Sequence, residues 1–244
     1  MSMEKNGRIK LMIKIIGFTV AILSLSGCDF EMVTEIYTSD LYRIARKPDS
    51  TMTAPLLLKL DMGGKSTCDE KKAEVTEVLK AYFGELKDPA CLEEGMNTFL
   101  SMKGKIPVTA QKDTVAQPGR LVVLNAIQAN NRVKLEVHLD GAAFEKLRSE
   151  VQEKFMAEIA PKDLRLQIVL HHDGEKPVDV HVHSAYVNKK AYPFVGSVTL
   201  DRREKASILL STIFTEHILS EGSGTVLSFP MQAPATEPNK EEAP

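Results

Sequence analysis

Between residues 132 and 139, Val133, Leu135, Val137 and Leu139 alternate with Lys134, Glu136 and His138. A period of two sends the aliphatic side chains to one side of a pleated strand and the polar ones to the other. The segment therefore belongs to a sheet with one buried face and one wet face. Residues 120–128, equally rich in Val and Leu, precede it. Asn130-Asn131 between the two predicts a tight hairpin, because both residues tolerate positive φ. Residues 164–171 and 177–187 repeat the arrangement around the turn His172-Asp173-Gly174, with Val178, Val180 and Val182 alternating with polar partners. Shorter strands are expected at 56–60, 194–200 and 225–229. Residues 97–109 read as one or two strands, their register blurred by Gly104 and Pro107. Residues 205–210 fit either a strand or the start of a helix.

Helical spacing appears in three places. Val75, Val78, Leu79, Tyr82 and Phe83 recur every three to four residues, with Asp69, Glu70 and Glu74 in the first turns and Gly84 as the stop. Asp140 is placed to cap a helix whose stripe is Phe144, Leu147, Val151, Phe155 and Ile159, ended by Pro161. Ser211 caps a third through Ile213, Phe214, His217 and Ile218, closed by Gly222. The expected fold is α+β: a largely antiparallel sheet with two or three amphipathic helices on one face. Strand–helix–strand order around Leu60-Asp61 recurs around Leu139-Asp140, which makes two related units a candidate duplication. The expected domain spans residues 53–229. Residues 230–244, with four prolines and a cluster of charges, have nothing to bury and read as a disordered tail.

The N-terminus addresses location. Lys5, Arg8, Lys10 and Lys14 stand against Glu4, and residues 15–25 then carry no charge. Eleven apolar residues are too few for a spanning helix, which needs about 20. A basic flank, a short apolar core and the small pair Ser26-Gly27 are the signature of a secretory signal over residues 1–27. Leu25-Ser26-Gly27-Cys28 resembles the lipobox of bacterial lipoproteins at every position. That resemblance implies cleavage before Cys28, a covalent lipid on its thiol and an anchor in the bilayer. More than one acyl chain holds stably. Asp29 resembles the enterobacterial signal that retains a lipoprotein in the inner membrane, facing the periplasm; the outer membrane is the alternative. Residues 28–52 then read as a lipidated lead and linker, with a short helix near 41–45 before Pro48. The layout is also similar to small uncharacterised lipoproteins of enterobacterial prophage regions, which implies an accessory role in the envelope.

An oxidising periplasm sets the expectation for the two remaining cysteines, Cys68 and Cys91, which should be joined to each other. A helix over residues 69–84 rises roughly 24 Å, and seven extended residues return at most about 25 Å. The bridge therefore needs a return running back along the helix; two buried free thiols are the alternative. The chain carries a net charge of −2. Losing residues 1–27, four bases against one acid, leaves about −5, which is no footprint for nucleic acid.

Sites with chemistry are sparse. Gly63-Gly64-Lys65-Ser66-Thr67 resembles the end of a phosphate-binding loop, but the glycine needed at position 59 is Lys. His181 and His183 leave the same face of one strand and could hold Zn²⁺ if His171 or His172 supplied a third ligand; a solvated face is the plainer reading. No Gly-x-Ser-x-Gly or His-Glu-x-x-His pattern occurs, and Asp61, Asp140 and Asp173 sit where caps and turns explain them. Tyr37, Tyr42, Tyr186 and Tyr192-Pro193-Phe194 suit a partner surface or a core equally. The expectation is a membrane-anchored periplasmic module that binds an envelope protein without catalysis or cofactor. A lipid or peptide carrier is the alternative, and an envelope hydrolase the second.

Overall fold

The computed structural model describes residues 29–110, 120–155 and 157–231; the signal at 1–27, Cys28 and the tail beyond Met231 lie outside them. The elements follow in the order β1 (Phe30–Tyr37), α1 (Thr38–Arg46), β2 (Thr51–Asp61), α2 (Lys65–Phe83), β3 (Lys87–Glu94), β4 (Asn97–Thr109) and β5 (Val122–Ala129). Then come β6 (Arg132–Leu139), α3 (Gly141–Phe155), a 3₁₀ turn (Pro161–Asp163), β7 (Leu164–His171) and β8 (Val178–Val187). The described chain ends with β9 (Lys190–Leu200), β10 (Lys205–Leu210), α4 (Thr212–Glu221) and β11 (Ser223–Pro230).

Nine strands close on themselves in the order β10–β7–β1–β2–β4–β5–β6–β11–β8, with β8 meeting β10 again. The protein is thus a closed β-barrel, which corrects the expected α+β sheet with helices on one face. Alternation reports one buried and one wet face whether a sheet is open or rolled up. Only the pairing of distant strands distinguishes the two. The helices also sit differently. α1 touches β1 and, across the barrel, β5 and β6; α4 touches β6, β11 and β7. Each lies over an end of the barrel instead of along its wall.

Closure depends on a bend in β8. Val182 and His181 pair with β11, whereas Ala185, Tyr186 and Val187 pair with β10. Between them Ser184 takes φ 43° and the register with β9 slips by a bulge. A bulge bends its strand and sharpens the twist, so one strand turns the corner from one neighbour to the next. Ser211 N–H donates to Ser184 O at 3.0 Å and pins that corner.

Register explains the core. Phe30, Met32, Leu58, Leu60, Leu100 and Met102 fall on one face of β1, β2 and β4, all buried. α2 packs against that face: Phe83 meets the Phe30 ring edge-on at 5.8 Å, and Thr76 Oγ1 donates to Met102 Sδ at 3.5 Å. Each large apolar side chain so buried contributes about 1.5–3 kcal/mol. The opposite face is polar, with Glu31, Lys59 and Lys103 in outward positions and Lys59 Nζ 2.6 Å from Glu94 Oε1.

Two further expectations change. Residues 30–46, read as part of a lead and linker, are integral: β1 lies between β7 and β2 and is paired on both edges. The candidate duplication also fails. β2 and β3, flanking α2, both pair antiparallel with β4, on opposite edges of it, whereas β6 and β7, flanking α3, share no partner strand in the ladder order. β7 instead runs parallel to β1, over eight paired residues.

Candidate functional site

Asp29 is the first described residue. Its backbone O accepts from Asp61 N at 2.9 Å and its carboxylate lies 3.3 Å from Arg165. Cys68, in the first turn of α2, is joined to Cys91 on β3, with 6.0 Å between Cα atoms. β3 supplies the return along α2 that the bridge requires.

The histidines do not converge. His181 and His183 stand on the outer side of β8, in the row where Ser228 and Lys134 follow on β11 and β6. Burial holds His183 below the ordinary imidazole value, and the charges of His181 and Lys134 add to this. His138, whose Nε2 lies 2.9 Å from Asn125 Nδ2, is likewise lowered by burial against the opposing pull of Glu136. His171 and His172 lie at the far end of β7. His171 stacks on Tyr37 at 4.9 Å and pairs with Glu35; the buried His172 ring sits between Thr38 Oγ1 and Lys176 O. Among the described residues no group of three His, Cys, Asp or Glu is placed to hold a metal ion.

The three aspartates organise backbone. Asp61 accepts from Gly63 N at 2.8 Å in the turn before α2, and Asp140 from Ala143 N at 2.9 Å as the cap of α3. Gly63, Gly64 and Lys65 form that turn and the start of α2, with Lys65 Nζ 3.6 Å from Glu93. Asp173 caps a helix from another part of the chain. It accepts from Ser39 N at 3.0 Å, from Thr38 Oγ1 at 2.9 Å and from Ser39 Oγ. α1 has no side-chain cap of its own, its N-cap being Tyr37. Burial raises the Asp173 carboxyl, but these hydrogen bonds outweigh it and leave the group below its ordinary value.

Two features suit binding, and the sequence points only to the first, through Tyr192-Pro193-Phe194. β9 lies outside the closed ring, paired with β8 along one edge, and Phe194 and Val195 on it are 82% and 62% exposed. Tyr186 is also exposed, whereas Tyr42 is buried and donates to Pro230 O. The second feature is a groove of about 810 Å³ at the seam of β4 and β5. These strands run parallel and share only two rungs, Val108 with Leu124 and Thr109 with Asn125. β3 leaves β4 through a bulge before Ala90, with Asp88 at φ 54°. The wall is open between these two attachments. Met52, Pro55, Phe83, Pro107, Val108 and Val123 line the gap, with Lys87, Lys103, Lys105 and Arg120 among its polar residues. Lys87 and Lys103 are matched by Glu85 and Asp88 at 3.1 and 3.2 Å. Arg120 donates to Phe83 O at the end of α2, and its guanidinium occupies the space beside Gly84. Lys105 has no acidic partner among the described residues. The only trace of this in the sequence is the run Lys103-Gly104-Lys105 before Pro107, which reads equally well as a poor strand.

The architecture defines a closed nine-stranded barrel, capped by helices at both ends, with β3 and β9 outside the ring and a gap in its wall. Residues 30–233 match the family described as Domain of unknown function (DUF7424), and the chain belongs to that family. No curated protein and no solved structure matches it.

Proposed function

We propose that this protein is a lipid-anchored, non-catalytic binding module of the cell envelope, engaging an envelope protein through the β8–β9 hairpin. The supporting observation is β9: an eleven-residue strand outside the ring, carrying Phe194 and Val195 into solvent. An edge strand offers backbone donors and acceptors to a partner strand, and large exposed apolar side chains supply contact energy. The anchor fits the same reading. β1 begins two residues after Cys28, so a lipid there would hold the barrel against the inner membrane with almost no spacer. Tethering raises the effective concentration toward other membrane-bound proteins.

A photo-reactive residue at position 194 or 195, introduced into the full chain in intact cells, tests the proposal. A discrete adduct that is absent when the probe sits at exposed Glu77 on α2, away from the hairpin, is the expected result. Adducts no different from that control would dismiss the hairpin as the contact. Mass spectrometry of the same material reads the anchor: an intact leader or an unmodified Cys28 would remove the membrane from the reading.

A further inference from the structure

We propose that the groove at the β4–β5 seam is a binding site for an anionic amphiphile: an acyl chain bearing one carboxylate or phosphate head. This goes beyond the hairpin contact and does not depend on it. Ligand sites are typically concave, about 300–1,000 Å³, mostly apolar, with a few polar groups that fix orientation. The groove has that size. Its apolar lining comes from four separate elements or their flanks, β2, α2, β4 and β5, so it is a built space and not a dent in one strand.

Charge selects the occupant. Among the described residues, two of the four cations are matched by acids, which leaves Lys105 and Arg120 as the groups able to face an anion. Arg120 presents five N–H donors, of which the structure uses its contact with Phe83 O. A Lys supplies a point charge and a Lys stem covers apolar surface. Together they suit a headgroup above an apolar floor.

A peptide strand fits less well. β2 and β4 are paired with each other over their whole length in this region, from Thr51 with Thr109 to Asp61 with Phe99. The stretch of the other β4 edge left between β3 and β5 is Gly104 to Pro107, and Pro107 has no N–H to offer. Four residues with a missing donor make a poor template for strand addition.

The test uses cis-parinaric acid, a fluorescent 18-carbon carboxylate, titrated into the purified full chain. Saturable binding at one site is expected, with displacement by oleate or lysophosphatidic acid separating carboxylate from phosphate heads. The methyl ester, which lacks the charge, should bind at least about tenfold more weakly. Lys105→Glu should produce a similar loss, and Thr53→Trp should abolish binding by filling the mouth. Both positions are exposed, so neither change disturbs the core, and a thermal melt checks folding. Absence of saturable binding would overturn the proposal. So would equal affinity for acid and ester, or binding that Thr53→Trp leaves unchanged.

Discussion

Replacing Asp173 should loosen the end of the barrel that α1 covers. The carboxylate holds three groups of the first turn of α1: the Ser39 backbone N–H and the hydroxyls of Thr38 and Ser39. A lost cap costs about 0.5–2 kcal/mol. Here three bonds go at once, but the group is exposed and screened by solvent. About 2 kcal/mol is therefore expected for Asp173→Ala. Asp173→Asn keeps an acceptor for Ser39 N and loses the charge, so about 1 kcal/mol is expected. For a domain of this size each kcal/mol moves Tm by about 2–4 °C.

The pH dependence is the sharper measurement. The folded pKa of Asp173 is depressed, so the unfolded chain binds its proton more readily. The contribution is then fully present above the unfolded value, 3.8, and is lost as pH falls through the folded one. Urea unfolding of wild type and Asp173→Asn at pH 7 and near pH 3 reads the difference directly. The gap between the two proteins should shrink in acid. An equal gap at both pH values, or no gap at pH 7, would show that the charge does nothing for α1.

Reducing the Cys68–Cys91 bridge, which spans 23 positions, should cost about 3 kcal/mol in the chain-entropy model. Denaturant midpoints with and without dithiothreitol measure it, and a loss below about 1 kcal/mol would contradict the loop argument. Phe144 is 1% exposed, and Phe144→Ala should destabilise by about 3–5 kcal/mol in the same assay. His138 and His183 are both held below 6.5. Their contribution is present above that pH and fades as pH falls through the folded values. Unfolding followed from pH 7.5 to 5 should therefore show falling stability, less steeply in His183→Gln.

The individual elements could be read because their determinants are local. Asn130 and Asn131 take φ 51° and 57° in the hairpin their identity suggests. Ser211 accepts from Phe214 N, and Gly222 ends α4 at φ 82°. β3 was harder to see: Lys87–Glu94 is polar, mostly exposed and contains Pro89, because it hangs outside the ring and buries little. β1 was hidden for another reason. One of its two partners, β7, lies more than 130 residues away, and no short-range pattern announces a parallel neighbour at that distance.

The same logic explains why the sites were nearly invisible while the strands were not. β5 is buried on both faces from Val122 to Ile127, as a wall strand must be where other parts of the chain cover its outer side. Its alternation is lost there, and with it any indication of the groove that opens beside Val123. The groove exists because two strands that are distant in pairing, β3 and β5, attach to different stretches of one edge of β4 and leave Gly104 to Pro107 between them. A gap of that kind is a property of closure. It arises when a ring must join strands whose lengths and bulges do not match, and no residue needs to be unusual to create it. Closure therefore determines the fold and also leaves a concave surface available for binding.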